Sequence, residues 1–175
     1  MALTLKRNES NGITLLGYSD SSYGDDEATK KSTSGFLYLL YGNPITWSSK
    51  RQQIVTLSTC EAEYVALCAA CCEGVWIKNL LESIGLKEAM KSPIILRGDN
   101  QGSILLADGN ANHSRSKHID IRYHKINDLV TEGVFVLEWI PTDEMIADCF
   151  TKALASPKLS FFIPKLGLER AKASK

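Results

Sequence analysis

Hydrophobic and polar positions follow two different periods, and the change between them divides the chain. Ile13, Leu15 and Leu16 form a short apolar run after Gly12, which reads as a buried strand. Thr33 to Tyr41 is dense in aromatic and aliphatic residues and reads as a second strand. Gly42-Asn43-Pro44 is a turn signal, and Ile45 to Lys50 returns as a third strand paired with the second. Three strands joined by short turns make an antiparallel meander. Beyond Ser58 the spacing becomes helical. Tyr64, Leu67, Cys68, Cys71 and Val75 form one stripe of a helix that runs to about Ile84 and ends at Gly85. Ser58 and Glu61 fit a capping box at its start. Pro93 to Asn100 is a fourth strand, and a further helix starts at Asn100. A loop from Asp108 leads to a helix over Ser116 to Val130, whose buried stripe is Ile119, Tyr123, Ile126 and Val130. Val134 to Ile140 is a fifth strand. Pro141 to Glu144 turns into a last helix with Ile146, Cys149, Phe150 and Ala153 on its core side. Pro157 and Pro164 limit the remainder of the chain to short pieces, and Met1 to Asn11 is a polar lead-in.

This order predicts an α/β fold. The fourth strand lies parallel to the first through a right-handed crossover. In such sheets function gathers at the carboxyl ends of the parallel strands. Asp20 and Asp99 are both late in their strands, so the fold makes them neighbours there. A carboxylate on an otherwise apolar central strand costs free energy unless it is compensated, and a metal ion is the compensation expected for Asp20. Glu63 flanks the helical stripe and Asp148 borders the core side of the last helix, so both can join the group. Taken singly, Asp20 reads as a turn residue beside Ser19 and Ser21, and Glu63 as a surface glutamate. The set carries the argument. Glu61 is engaged by the cap, which leaves Glu63 free to reach the sheet edge.

Composition narrows the picture. The chain has 175 residues, enough for one domain with a proper core. Its 20 basic and 20 acidic residues cancel, which argues against a strong autonomous nucleic-acid binder. No uninterrupted apolar run reaches membrane-spanning length, and no signal-peptide core follows Met1. Five cysteines without secretory context read as free thiols in a reducing compartment. Cys68, Cys71 and Cys72 have helical rather than zinc-site spacing and read as small packing residues. Positive charge collects at the end, where Lys152, Lys158, Lys165, Arg170, Lys172 and Lys175 face only Glu169. That stretch is either a solvated basic tail or one that contacts phosphates.

Seven segments carry a resemblance to a known family. They are Gly17 to Asp20, Lys31 to Gly35, Trp47 to Gln52, Leu57 to Tyr64, Gly98 to Gln101, Arg115 to His124 and Ala147 to Lys152. In this order and spacing the chain resembles the ribonuclease H domain of copia-type LTR retrotransposon polyproteins, from about Leu16 to Leu168. The resemblance implies a ribonuclease H-like fold, with a five-stranded mixed sheet (three antiparallel strands plus two parallel) flanked by helices. Residues 1–12 would be a lead-in from the upstream polyprotein, 13–154 the domain, and 155–175 a basic tail partly packed on it.

The resemblance also implies a function. Asp20, Glu63, Asp99 and Asp148 match the family's four acidic metal ligands, with Glu61 as a possible substitute for Glu63. Hard divalent ions such as Mg²⁺ prefer oxygen ligands, and Mn²⁺ is expected to substitute. Two such ions about 4 Å apart serve an in-line displacement at phosphorus. The implied substrate is an RNA–DNA hybrid, cut on its RNA strand during reverse transcription, which requires reading 2′-hydroxyls. Asn100 and Gln101 are the candidates for that reading, Ser58 and Thr59 for the other strand's phosphate, and Lys50, Arg51 and Lys117 for further phosphates. His118 is either an aid to product release or phosphate binding, or an ordinary surface histidine. Trp139 to Asp148 contains no histidine, whereas many ribonucleases H carry one before the last acid. The implied partner is the reverse transcriptase of the same polyprotein, with no membrane, in cytoplasmic virus-like particles. A catalytically silent hybrid-binding module, or a structural domain accompanying a reverse transcriptase, is the alternative.

Overall fold

The computed structural model describes residues 1–5, 12–107 and 125–169. Among these residues the strands are β1 (Ala2–Leu3), β2 (Leu15–Ser22), β3 (Thr33–Leu40), β4 (Asn43–Arg51), β5 (Ile94–Gly98), β6 (Phe135–Trp139) and β7 (Leu168–Glu169). The helices are α1 (Thr59–Ser83), α2 (Gln101–Ala107), a helical segment α3 over 125–131, and α4 (Ser156–Phe162). Five strands form one mixed sheet in the order β4-β3-β2-β5-β6. β2, β3 and β4 are antiparallel neighbours, while β5 lies parallel to both β2 and β6. The chain has the mixed α/β sheet its sequence predicts.

Side chains alternate across the sheet, and each face has its own core. Leu15, Phe36 and Tyr38 lie on one face with Tyr64, Leu67 and Cys71 of α1, and with Ile94, Leu96 and Phe135. Tyr18, Leu37 and Leu39 lie on the other with Ile140, Met145, Ile146 and Phe162. α1 is 25 residues long and apolar enough by composition to cross a bilayer. Here it is a core helix, held close to the sheet at Gly74, where an added Cβ would stand 2.5 Å from the Tyr38 hydroxyl and 2.7 Å from Phe135. The Tyr38 hydroxyl donates to the Ala70 carbonyl at 2.7 Å, so the buried phenol is satisfied by the helix it supports.

Three local expectations need correction. The first strand runs on to Ser22, further than its apolar run, and Asp20 pairs with Gly35 late in the strand, where the sequence puts it. The expected last helix is instead two short 3₁₀ turns, Thr142–Glu144 and Ile146–Phe150. Contact with the sheet explains this, because the segment is seated on β3 at Gly35. A Cβ there would stand 2.6 Å from Thr151 Cγ2 and 2.9 Å from Phe150 Cβ. Finally, the lead-in and the tail are joined, since Ala2 and Leu3 pair antiparallel with Glu169 and Leu168. Two-residue strands are too short to show any period. Most of the helix expected over Ser116 to Val130, with Lys117 and His118, lies outside the described residues.

Candidate active site

β2 carries Asp20 into the middle of the sheet, and β5 ends one residue before Asp99. Because these strands are parallel neighbours, both aspartates stand at the same sheet end. α1 starts at that end as well. Its N-cap is Ser58, whose Oγ accepts from the Glu61 N–H at 3.1 Å, and Glu61 reaches back to accept from the Leu57 N–H at 2.7 Å. With Glu61 engaged in the cap, Glu63 lies on the buried side of the first turns. One carboxylate oxygen from each of Asp20, Glu63 and Asp99 lies within 4.8 Å of the other two.

Neutral donors reach all three groups. The Ser21 N–H and hydroxyl both donate to Glu63 Oε1, at 3.1 and 2.8 Å. The Thr151 hydroxyl donates to Asp20 Oδ2. Thr142 Oγ1 donates to Asp99 Oδ2 at 2.8 Å, and the Trp139 indole N–H donates to the Asp99 carbonyl at 2.9 Å. Burial pushes Glu63 up to about 8, helped by the negative charges of Asp20 and Asp99. Burial also pushes Asp20 up to about 6, against the pull of the Thr151 bond and the Lys152 charge.

Asp148 has different surroundings. It is 1% exposed, and each of its oxygens meets an ammonium. Lys152 Nζ is 2.7 Å from Oδ1, and Lys158 Nζ is 2.6 Å from Oδ2. Lys152 Nζ is also 3.1 Å from Asp20 Oδ1, so it bridges the two aspartates. Burial opposes charge on Lys152, but the Asp148 bond and both carboxylates outweigh it and hold its pKa well above the ordinary lysine range. Lys158 also donates to the Thr142 carbonyl at 3.2 Å. A continuous polar path therefore links Asp99, Thr142, Lys158, Asp148, Lys152 and Asp20. By sequence Lys152 and Lys158 group with the basic tail, whereas in the structure both turn inward onto Asp148. The signal for this lies in the four-residue spacing of Asp148 and Lys152, which places an acid and a base within reach of each other. Thr151 falls within the Ala147 to Lys152 segment and Thr142 follows Pro141, but the sequence assigns neither hydroxyl a role at the acids.

Other candidate residues ring the site. Asn100 caps α2, its Oδ1 accepting from the Ser103 N–H at 2.9 Å, and Gln101 is exposed in the first turn. Ser58 and Thr59 are exposed at the start of α1. The first turns of α1 and α2 meet, since a Cβ on Gly102 would stand 3.3 Å from Cys60 Sγ. Lys50 and Arg51 are exposed on β4 at the same sheet end, paired across β3 with Ser34 and Thr33, the partners of Ser21 and Ser22. Arg51 is engaged with Asp26 at 2.5 Å. Lys117 and His118 lie outside the described residues.

The donor set of Asp20, Glu63 and Asp99, all carboxylate oxygens in mutual reach, fits a hard divalent cation. The sheet order and an acid-lined end define the ribonuclease H fold. LC11-RNase H1, solved in complex with an RNA/DNA hybrid, superposes with a TM-score of 0.55 at 18% identity, covering 79% of this chain and 94% of that one. An RNase H1 from Halobacterium salinarum matches over the same shares with a TM-score of 0.54. No family model matches the chain. By sequence it is 35% identical over 154 residues to the retrovirus-related Pol polyprotein from transposon TNT 1-94 of Nicotiana tabacum, covering 88% of this chain. It is 35% identical over 164 residues to that from transposon RE1 of Arabidopsis thaliana, covering 94%. The chain spans 11% of each of these relatives. By sequence it is kin to copia-type retrotransposon Pol polyproteins, and its fold is that of ribonuclease H.

Proposed function

We propose that this chain hydrolyses the RNA strand of RNA–DNA hybrids, with divalent metal held by Asp20, Glu63, Asp99 and Asp148. The observation that carries the reading is the meeting of three carboxylates, two of them buried, at the end of parallel strands in a ribonuclease H fold. Bound as a pair, Mg²⁺ or Mn²⁺ would activate a water and stabilise the leaving 3′-oxygen. The protein's own contribution is positioning. Ser21 orients Glu63, Thr142 and Trp139 hold Asp99, and Thr151 aligns Asp20. Because the Asn100 Oδ1 serves the cap, its part in reading a 2′-hydroxyl falls to the amide N–H₂. Gln101 stands beside it, and Ser58, Thr59, Lys50 and Arg51 supply contacts to the flanking phosphates, with Lys117 and His118 as further candidates. The kinship with Pol polyproteins supports an activity exerted beside a reverse transcriptase; the location we propose for it is cytoplasmic virus-like particles.

A labelled hybrid tests this. Purified protein with Mg²⁺ should cut the RNA strand to leave a 3′-hydroxyl and a 5′-phosphate, and should leave duplex DNA intact. Cleavage without metal, or products ending in a cyclic phosphate, would overturn the reading.

A further inference from the structure

The four acids are compensated unevenly, and the unevenness has a direction. Asp20, Glu63 and Asp99 face one another with hydroxyl and N–H donors around them. Between Asp20 and Asp148, by contrast, sits the Lys152 ammonium, 3.1 and 2.7 Å from their oxygens. Building on the metal-dependent reading above, we propose that Lys152 is an internal counter-cation occupying the Asp20–Asp148 half of the site. The resting protein then takes one divalent ion, on Asp20, Glu63 and Asp99. A second binds only when the ammonium is displaced.

Charge balance supports this assignment. Once a metal ion has displaced the Glu63 proton, four ionised carboxylates less the ammoniums of Lys152 and Lys158 leave two formal negative charges, which that one divalent ion neutralises. A second ion would have to enter beside an ammonium in a largely buried site, where like charges repel strongly. The two lysines also differ in their capacity to leave. Lys152 has a side chain 37% exposed, on a flexible stem whose ammonium is readily hydrated. Lys158 is 28% exposed, donates to the Thr142 carbonyl and lies over the Phe162 ring. It is the fixed partner of Asp148, and Lys152 is the movable one. An arriving phosphate gives the displaced ammonium a new anion within reach, which couples entry of the second ion to substrate. Lys152 is thus a positioning residue that sets the order of metal loading.

The test is Mn²⁺ titration of the full chain without nucleic acid, followed by the spin-resonance signal of free Mn²⁺. Wild type should bind one ion tightly. Lys152→Met should gain a second site at least about tenfold tighter than any second site in wild type. Lys152→Arg should restore the wild-type stoichiometry, and Lys158→Met should not open the second site. Adding Asp148→Asn to Lys152→Met should remove the gained site and leave the first. If the methionine variant fails to fold, Lys152→Gln keeps a donor for Asp148 and is expected to give the same gain. Equal stoichiometry and affinity in wild type and the Lys152 variants would overturn the inference while leaving the metal-dependent reading standing. So would an equal gain in Lys158→Met, which would mark a mere net-charge effect, or two tight ions in wild type. No bound ion in any variant would overturn the metal-dependent reading, and this inference with it.

Discussion

Glu63 and Asp148 are carboxylates of the same site, 9% and 1% exposed, and their surroundings are opposite in character. Glu63 meets neutral donors from Ser21 and the negative charges of Asp20 and Asp99, and its pKa is pushed to about 8. Asp148 meets two ammoniums, one on each oxygen. Burial is shared, so burial does not separate them. The difference is whether the protein supplies its own cation. Where it does, the carboxylate is a settled ion pair. Where it does not, the site retains uncompensated acid, and that is where an external cation gains most. The contrast can be attacked through activity, through pH, through stability and through single hydroxyls.

The largest expected effect is on turnover. Glu63→Gln should lower hybrid cleavage by about a thousandfold, since metal-based stabilisation of the transition state is worth several kcal/mol, at about 1.4 kcal/mol per tenfold. Glu61→Gln should be close to wild type, because glutamine also serves at that position of a capping box. Single-turnover rates at saturating Mg²⁺ measure both. A reversed ranking would move the uncompensated acid from Glu63 to Glu61.

Next is the pH dependence of the metal-free fold. Folded Glu63 keeps its proton up to about pH 8, while the unfolded chain has released it above 4.5. Asp20 acts in the same direction, with about 6 in the folded chain against 3.8. The folded state binds more protons across this window, so raising the pH favours unfolding. Stability in chelator should fall by on the order of 4 kcal/mol between pH 4.5 and 8 from Glu63 alone, at about 1.4 kcal/mol for each tenfold change in proton affinity with the group half-titrated at both ends of the window. Urea unfolding at a series of pH values measures it. Glu63→Gln should remove most of the slope. Mg²⁺ should offset it, and more so at higher pH, because it binds the ionised form. A flat profile in wild type would mean that the three acids are already compensated.

Asp148 gives the opposite sign at a smaller size. Asp148→Asn leaves two partly buried ammoniums facing a neutral amide. Breaking a fully buried pair costs about 3–5 kcal/mol, and partial exposure of both lysines reduces that to about 2 kcal/mol here. Glu63→Gln at pH 8 without metal should instead raise stability, since it removes a repelled charge. Equal signs for the two substitutions in the same urea series would erase the distinction between the two halves.

Much of this arrangement is legible in the chain. The sheet can be read because its strands are short apolar runs between turn residues, and α1 because Ser58 and Glu61 mark its start. Asp20, Glu63 and Asp99 emerge from their places at strand ends and beside a helical stripe. Two things are hidden by tertiary contact. The segment around Asp148 has helical spacing of apolar residues, yet it folds as 3₁₀ turns because Gly35 admits it against β3. Lys152 reads as the first of a run of basic residues, and only that seating turns it inward. The β1–β7 pairing is invisible for a different reason, since two residues carry no period.

The smallest effects concern the hydroxyls that serve Asp20 and Asp99, beside an ammonium at Asp20 and in place of one at Asp99. Thr151 is buried and donates to Asp20, whereas Thr142 is exposed and donates to Asp99. Valine matches threonine in shape, so Thr151→Val and Thr142→Val each delete a donor with little change in packing. A hydrogen bond to a charged group contributes about 1.5–3 kcal/mol where water cannot replace it. Asp20 keeps Lys152 after Thr151→Val, which brings the expected loss to about 1 kcal/mol. Water replaces the lost donor at Thr142, so Thr142→Val should cost no more than a few tenths of a kcal/mol in stability and a few-fold in turnover. The informative reading is the double variant Thr151→Val with Lys152→Met. If hydroxyl and ammonium are two means of holding the same carboxylate, the pair should cost more than the sum of the singles, because Asp20 then loses both donors in a site that excludes water. Simple additivity in the unfolding free energies would show that the two donors act on Asp20 independently.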